Sequence, residues 1–308
     1  MRPGPLRDLL TLLLGFATGV LSALFGIGGA IVSNPGLRAL GASPLVAVGT
    51  TLPSILPGAI SGTLRYRREG LINWRLITPA AAAGLLAVVG GSLLSHAVPG
   101  GGHLLLLLIA VLLAFTAWRT AVTPASSPAK GGVDNAEAPS SRSATPPLRG
   151  ATRRESGLAG ARDADADPDA DPDPGAGLTP RRRWRAAGIG LVAGLLSGLL
   201  GIGGGVIMVP AFTELLGLSL KSAIATSLVC VGIFGVPATI THAFLGDIDW
   251  RLAVLLTIGV IPGARVGASL TIRTAERRLR LAVGVFLGLV ALVYFITETR
   301  ALLEQLSG

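Results

Sequence analysis

Long, mostly apolar segments recur along this chain, and they are too continuous for the alternating pattern of a half-buried strand. Clear examples span residues 77–94, 104–118, 252–272 and 281–296. Because a helix of about 20 residues crosses a bilayer, the pattern predicts an all-α polytopic membrane protein. The composition agrees: 50% of the residues are hydrophobic, 14% are charged, and the mean hydropathy is +0.66.

The two halves of the chain repeat the same pattern. The segment "GFATGVLSALFGIGGAIVSNP" (15–35) matches "GLVAGLLSGLLGIGGGVIMVP" (190–210) at 10 of 21 positions without a gap. With one added residue, Thr50 then falls on Thr226 and Trp74 on Trp250. The chain is therefore an internal duplication. The basic start and apolar run at 9–24 resemble a signal peptide, but the recurrence of this stretch favours a place in the mature protein.

Each copy is predicted to contain two short arms followed by three spans. The first copy has arms at about 9–25 and 27–40 and spans near 44–64, 75–95 and 104–122. The second copy has arms at about 187–201 and 203–216 and spans near 219–244, 251–272 and 279–297. The arms are short for crossings, so we expect a re-entrant or broken helical hairpin with the glycine cluster at its tip. Full crossings are the alternative.

The charges of matching loops predict that the two copies are inverted in the membrane. The loop "RYRREGLINWR" carries four arginines, whereas its counterpart "AFLGDIDWR" carries two aspartates and one arginine. The next pair reverses this pattern, since "SHAVPGGGH" has no Lys or Arg and "RTAERRLR" has four arginines. Cytoplasmic loops collect Lys and Arg, so matching loops are expected on opposite sides, with both chain termini outside.

A polar segment separates the two copies. It includes "DADADPDADPDPGAG" and has too little apolar surface to offset the entropy of ordering. We therefore divide the chain into a first membrane repeat (1–123), a disordered acidic cytoplasmic linker ending in the basic "RRRWR" (124–183), and a second membrane repeat (184–308). The single cysteine, Cys230, cannot form an internal disulfide or a metal cluster.

The glycine clusters "GIGGA" (26–30) and "GIGGG" (201–205) do not fit a nucleotide site. A dinucleotide fingerprint needs a third glycine, where this chain has Ile31 and Val206, and no Lys-Ser or Lys-Thr follows to make a P-loop. Glycine does permit a sharp backbone break, and a helix that starts at the break presents its positive end to an anion. We expect the two tips to form one shared anion site, while the glycines that precede each break serve close helix packing.

Few polar residues are placed to line such a site. Ser22 and Ser197 are equivalent, and Arg265 is a cation well inside a predicted span, where charge is costly and usually faces a cavity or a partner. Each hydroxyl could instead bond a helix carbonyl. Asn34 has no polar counterpart, because Val209 matches it. The candidate substrate-binding residues are Gly28, Gly29, Ser22, Gly203, Gly204, Gly205, Ser197, Thr50, Thr51, Thr226, Ser227 and Arg265.

These motifs carry a family resemblance. The paired glycine cores, the prolines Pro35 and Pro210, the segments "VGTTL" and "IATSL", and the loop "GDIDWR" resemble the TauE/SafE sulfite exporter family of bacterial membrane permeases. The resemblance spans about 9–122 and 186–297. It implies a secondary transporter that exports small anions, such as sulfite, sulfonates or related organosulfur acids, across the bacterial inner membrane by alternating access.

Other classes of function are weaker. The apolar segments hold no convergent catalytic or metal-binding group, so we expect no enzyme, no cofactor, no metal and no nucleic-acid partner. The expected partners are a small anionic substrate and the lipid bilayer. The alternatives are an anion channel or a non-transport membrane scaffold. The exact anion, the coupling ion and the oligomeric state, a homodimer included, stay open.

Overall fold

The computed structural model describes residues 4–97, 178–201 and 203–307, together with the isolated positions 111 and 114. These residues are helical and contain no strand. The first copy forms α1 (Pro5–Phe25), α2 (Ala30–Ala39), α3 (Pro44–Arg68) and α4 (Trp74–Ala97). The second copy forms α5 (Pro180–Leu200), α6 (Gly205–Leu215), α7 (Leu220–Leu245), α8 (Trp250–Arg273) and α9 (Glu276–Ser307).

The all-helical fold is confirmed, and most predicted elements agree with it. Among the described residues, five helices are long and apolar enough to cross a membrane: α1, α3, α4, α7 and α8. The predicted first arm was too short, because α1 begins at Pro5 and has 21 residues. Proline suits the first turn of a helix, and Asp8 favours the same turn. The predicted span 104–122 lies outside the described residues, as does most of the linker.

Equivalent residues cap equivalent helices in the two copies. The Ser43 hydroxyl accepts from the Val46 N–H at 3.4 Å at the start of α3. The Ser219 hydroxyl accepts from the Ser222 N–H at 3.3 Å at the start of α7. Such N-caps satisfy donors that a helix leaves free, so both copies specify this helix start in the same way.

The basic run at 181–185 belongs to a helix rather than to the end of the linker. α5 begins at Pro180, and two of its arginines reach the end of α6. Arg182 Nη2 donates to the Leu216 carbonyl at 2.7 Å, and Arg185 Nη1 donates to the Leu215 carbonyl at 3.3 Å. Carbonyls at a helix C-terminus lack intrahelical donors, so these contacts join the two arms of the second copy.

The helices pair across the two copies through glycines. α1 packs mainly on α8, and α5, the equivalent of α1, packs mainly on α4. A Cβ atom at Gly15 would lie 2.5 Å from the Leu256 carbonyl oxygen, and one at Gly19 would overlap the Val260 carbonyl. Residue numbers rise together along both helices, so α1 and α8 run parallel. Small residues allow helices in membranes to approach this closely.

The two central helices run in opposite directions. Gly62 of α3 lies against Leu228 of α7, while Gly232 lies against Ala59 and Gly235 against Ile55. α3 and α7 are the same element of the two copies, so their antiparallel contact fits the predicted inversion. The inverted topology in a membrane itself stays a prediction.

The outer surface of the helices is apolar. Phe244 is 88% exposed and Leu86 is 80% exposed, whereas the Thr50 and Thr51 side chains are fully buried. A broad exposed apolar surface is unusual for a monomer in water. This distribution, together with the five long apolar helices, indicates a protein whose outer surface contacts lipid.

Candidate functional site

Each glycine cluster breaks the chain between two helices. Gly26 and Gly201 end α1 and α5, and their N–H groups donate to the carbonyls of Ser22 and Ser197 at 2.8 and 2.9 Å. Gly29 and Gly204 then precede α2 and α6. Positive φ angles occur at Gly26, Gly28, Gly29, Gly201, Gly203 and Gly204. Side chains other than glycine rarely adopt this conformation, which explains why the cluster is needed twice.

The two glycine tips contact each other. A Cβ atom at Gly203 would lie 3.3 Å from Cα of Gly28, and one at Gly205 would overlap the Gly26 carbonyl oxygen and lie 2.8 Å from Cα of Ile27. Backbone therefore packs on backbone at these points. Because α2 and α6 both begin here, their positive ends meet in one place.

The carbonyl end of α1 is covered by hydroxyl groups. Tyr66 donates to the Ala23 carbonyl at 2.5 Å, Thr271 to the Leu24 carbonyl at 2.9 Å, and Ser227 to the Gly26 carbonyl at 3.0 Å. These bonds satisfy acceptors that a helix C-terminus leaves free and reduce its negative field at the tip.

The N–H groups at the start of α2, the helix after the first tip, are less completely hydrogen-bonded. The first bonds around α2 are donated by Ala30 to the Gly28 carbonyl and by Val32 and Ser33 to the Gly29 carbonyl. The N–H groups of Gly28 and Gly29 donate to no residue that the structure describes. Donors that lack a partner at a helix start are suited to an anion. The first tip therefore combines satisfied carbonyls with available N–H groups.

Each glycine tip packs against a helix of the other copy. Gly26 packs against Ile224 of α7, and Gly201 packs against Val48 of α3, which is the equivalent residue. Ser227 was among the predicted site residues, and its hydroxyl lies at the first tip. Its equivalent, Thr51, instead shares its single hydroxyl proton between two acceptors, Asn34 Oδ1 at 3.0 Å and the Ala47 carbonyl at 2.9 Å.

Two other predicted hydroxyls bind loops of the opposite copy. Thr50 Oγ1 accepts from the Asp249 N–H at 2.9 Å, just before α8. Thr226 Oγ1 accepts from the Asn73 N–H at 3.1 Å, just before α4. Both threonines are fully buried. The structure thus places this equivalent pair at the helix starts of the other copy.

The two predicted serines and the predicted arginine occupy different positions. Ser22 is buried, and its Oγ would lie 3.5 Å from a Cβ atom at Gly29. Ser197 is buried one turn before the second break. Arg265 is exposed, because Gly263 and Ala264 of α8 face α1 instead. The structure does not bring Arg265 to the tips.

Two polar residues that the sequence did not assign to the site lie on or beside α2, the helix that follows the first tip. Thr18 Cγ2 would lie 2.7 Å from a Cβ atom at Gly29. Asn34 lies on α2 and bonds Thr51. Both side chains are buried, at 3% and 1% exposure, and neither Thr18 Oγ1 nor Asn34 Nδ2 has a hydrogen-bond partner among the described residues. One sequence signal could have found them: both are polar where the second copy has Ala193 and Val209.

A buried His–Asp pair lies at the end of α7. His242 Nδ1 lies 2.9 Å from Asp247 Oδ2, and the Asp247 N–H donates to the His242 carbonyl at 3.1 Å. Tyr66, which bonds the Ala23 carbonyl, is the equivalent of His242 in the first copy. The described residues contain no group of three or more His, Cys, Asp or Glu side chains that could hold a metal ion.

Known proteins resemble the chain over nearly its full length. A family model described as Sulfite exporter TauE/SafE matches residues 11–294. The probable membrane transporter protein YunE of Bacillus subtilis (strain 168) is 24% identical over 292 residues, which cover 90% of this chain and 93% of YunE. YjnA, a probable membrane transporter protein of the same organism, is 24% identical over 269 residues, covering 87% of this chain and 92% of YjnA.

Other matches are shorter. A probable membrane transporter protein of Xylella fastidiosa (strain 9a5c) is 34% identical over 89 residues, which cover 29% of this chain and 34% of that protein. No solved structure matches the chain. The family model includes both glycine breaks and the helices that pack on them, and the chain therefore belongs to the sulfite exporter TauE/SafE family of membrane transporters.

Proposed function

We propose that this protein is a secondary transporter that exports small anions, such as sulfite, sulfonates or related organosulfur acids, across the bacterial inner membrane. The anion binds where the two glycine breaks meet, and alternating access exposes that site to each side in turn. The observation that carries the proposal is the contact between the tips, where Gly203 lies against Gly28 and Gly205 against Gly26. Transporters built from inverted repeats place substrate at such broken helices.

Electrostatics supports an anion rather than a cation at this place. The starts of α2 and α6 converge, while hydroxyl groups cover three carbonyls at the end of α1. Each helix start carries about half a positive charge, and its effect is stronger in a medium of low dielectric constant. Charge at the site then comes from the backbone, and Arg265, which faces outward, contributes at most at a distance.

The pairing of helices supports alternating access. Backbone atoms touch along two helix pairs, α1 with α8 and α5 with α4. As long as these glycine contacts persist, the two helices of each pair move together. Each pair joins one arm from one copy to a span from the other copy. We therefore expect two structurally equivalent bodies that rock against each other about α3 and α7.

Flux measurements test this proposal. The full chain is reconstituted in liposomes, and sulfite flux is followed as a function of concentration, with and without a proton gradient. A transporter gives a saturable rate. An anion channel gives conductance without saturation, and a scaffold gives no flux above that of empty liposomes; either result would contradict the proposal.

A further inference from the structure

We propose that the anion site is asymmetric, and that Asn34 and Thr18 of the first copy contact the substrate directly. This inference rests on the proposed function and adds side chains to the site. The two copies share their glycine breaks, but the described residues show these two unpartnered polar atoms only in the first. The corresponding residues of the second copy, Val209 and Ala193, have no polar side chain.

The unpartnered edge of the Asn34 amide is the main observation. The Asn34 side chain is 1% exposed, and its Oδ1 accepts a hydrogen bond from Thr51 at 3.0 Å. That contact fixes one edge of the amide and leaves Nδ2 without a partner. A buried polar group without a hydrogen bond costs about 1 to 3 kcal/mol. A residue whose only role is to join α2 to α3 would need the bond with Thr51 but no buried N–H donor. We therefore infer that Nδ2 donates to the substrate.

Thr18 departs from the behaviour of several other threonines in these helices. Thr11, Thr239 and Thr257 donate to the carbonyl four residues earlier, at 2.8, 2.6 and 2.7 Å. This bond is the usual choice for a threonine in a membrane helix. Thr18 is 3% exposed and makes no such bond. Its methyl group lies instead against Gly29, the residue that precedes α2.

Both residues lie on or beside the same short helix, α2. Thr18 contacts the N-cap of α2, and Asn34 lies four residues after the first residue of that helix, about 6 Å along its axis. The amide N–H, the hydroxyl and the N–H groups of Gly28 and Gly29 are all donors. A small oxyanion with several acceptor oxygens fits this set. A cation or an apolar molecule would leave the donors unpaired.

The residues of the second copy supply the test variants. Asn34→Val and Thr18→Ala introduce the side chains that α6 and α5 already carry at the equivalent positions, so both are expected to fold. Asn34→Asp keeps the shape but replaces the N–H donor by an acceptor. Thr11→Ala is the matched control, because it removes a buried hydroxyl of α1 that already has a partner.

Sulfite flux is measured for each full-length variant in liposomes. We expect Asn34→Val to raise the half-saturation concentration about tenfold or more, as expected for the loss of one hydrogen bond to a charged group. Thr18→Ala should raise it severalfold, Asn34→Asp should nearly abolish flux, and Thr11→Ala should leave it unchanged. The melting temperature of Thr18→Ala should be no lower than that of the wild type, because the change removes an unpartnered polar atom. Asn34→Val also removes an acceptor of the Thr51 hydroxyl, but that hydroxyl keeps the Ala47 carbonyl at 2.9 Å, so this variant should melt close to the wild type.

The outcomes separate this inference from the proposed function. If the wild type gives saturable flux and Asn34→Val keeps its half-saturation concentration, the asymmetric site is wrong while the transporter stands. If Asn34→Val loses flux only through a lower melting temperature, Asn34 is a structural residue and the inference is also wrong. If the wild type gives no saturable sulfite flux, the proposed function fails and this inference fails with it.

Discussion

Two neighbouring glycines of α4 provide a test of how closely the helices pack. Gly91 faces α5, where a Cβ atom would overlap the Leu195 carbonyl oxygen and lie 2.8 Å from the Leu199 nitrogen. Gly90 faces outward, and a Cβ atom there would meet nothing within 4 Å. Gly90→Ala and Gly91→Ala therefore add the same methyl group to the same helix. Only the methyl group at position 91 meets the backbone of another helix.

The expected difference between the two variants is the cost of overpacking. Both replace a helical glycine by alanine, which favours the helix by about 1 kcal/mol, and this gain cancels in the comparison. A carbon normally stays about 3.3 Å from a carbonyl oxygen, and the Leu195 backbone cannot rotate away as a side chain could. α4 and α5 must separate, at a cost of about 1 to 3 kcal/mol. Gly90→Ala should thus be neutral or slightly stabilising.

Cys230 provides the assay. It is the only cysteine of the chain and is fully buried in α7, so a thiol-reactive fluorogenic dye labels it when the protein unfolds. We expect Gly91→Ala to melt about 2 to 12 °C below Gly90→Ala, at roughly 2 to 4 °C per kcal/mol. Equal melting temperatures would refute the close backbone contact between α4 and α5.

Three further predictions follow from the same structure. Gly204→Ala should lower the melting temperature more than Gly246→Ala, since both have positive φ angles but only at Gly204 does a Cβ atom lie 2.6 Å from a backbone oxygen; equal losses would show that the backbone conformation alone matters. Asp247→Ala should lower the free energy of unfolding by about 1 to 3 kcal/mol, because it removes the carboxylate that His242 Nδ1 contacts at 2.9 Å. Asp247→Asn should retain most of that stability. Thermal melting measures both variants, and an alanine variant as stable as the wild type would contradict the contact. A reporter active only in the cytoplasm should be silent at the C-terminus and active within the linker; the reverse pattern would contradict the inverted topology.

The sequence alone determined the features that depend on local hydropathy and local backbone freedom. Apolar runs of sufficient length predict helices in a membrane whatever their neighbours are, and the boundaries of α3, α4, α7 and α8 agree with them to within a few residues. The glycine breaks were equally predictable, because positive φ angles at consecutive positions need glycine. The duplication required only a comparison of the chain with itself.

The tertiary structure decided which groups meet at the breaks. The hydroxyls of Thr50 and Thr226 accept hydrogen bonds from loops of the opposite copy, whereas the Ser227 hydroxyl reaches the first tip. Arg265 faces outward because the glycine face of α8 is taken by α1. Hydropathy places a residue within a helix, but the direction in which its side chain points depends on how neighbouring helices are rotated and paired. The unpartnered amide of Asn34 becomes visible only when those neighbours are in place.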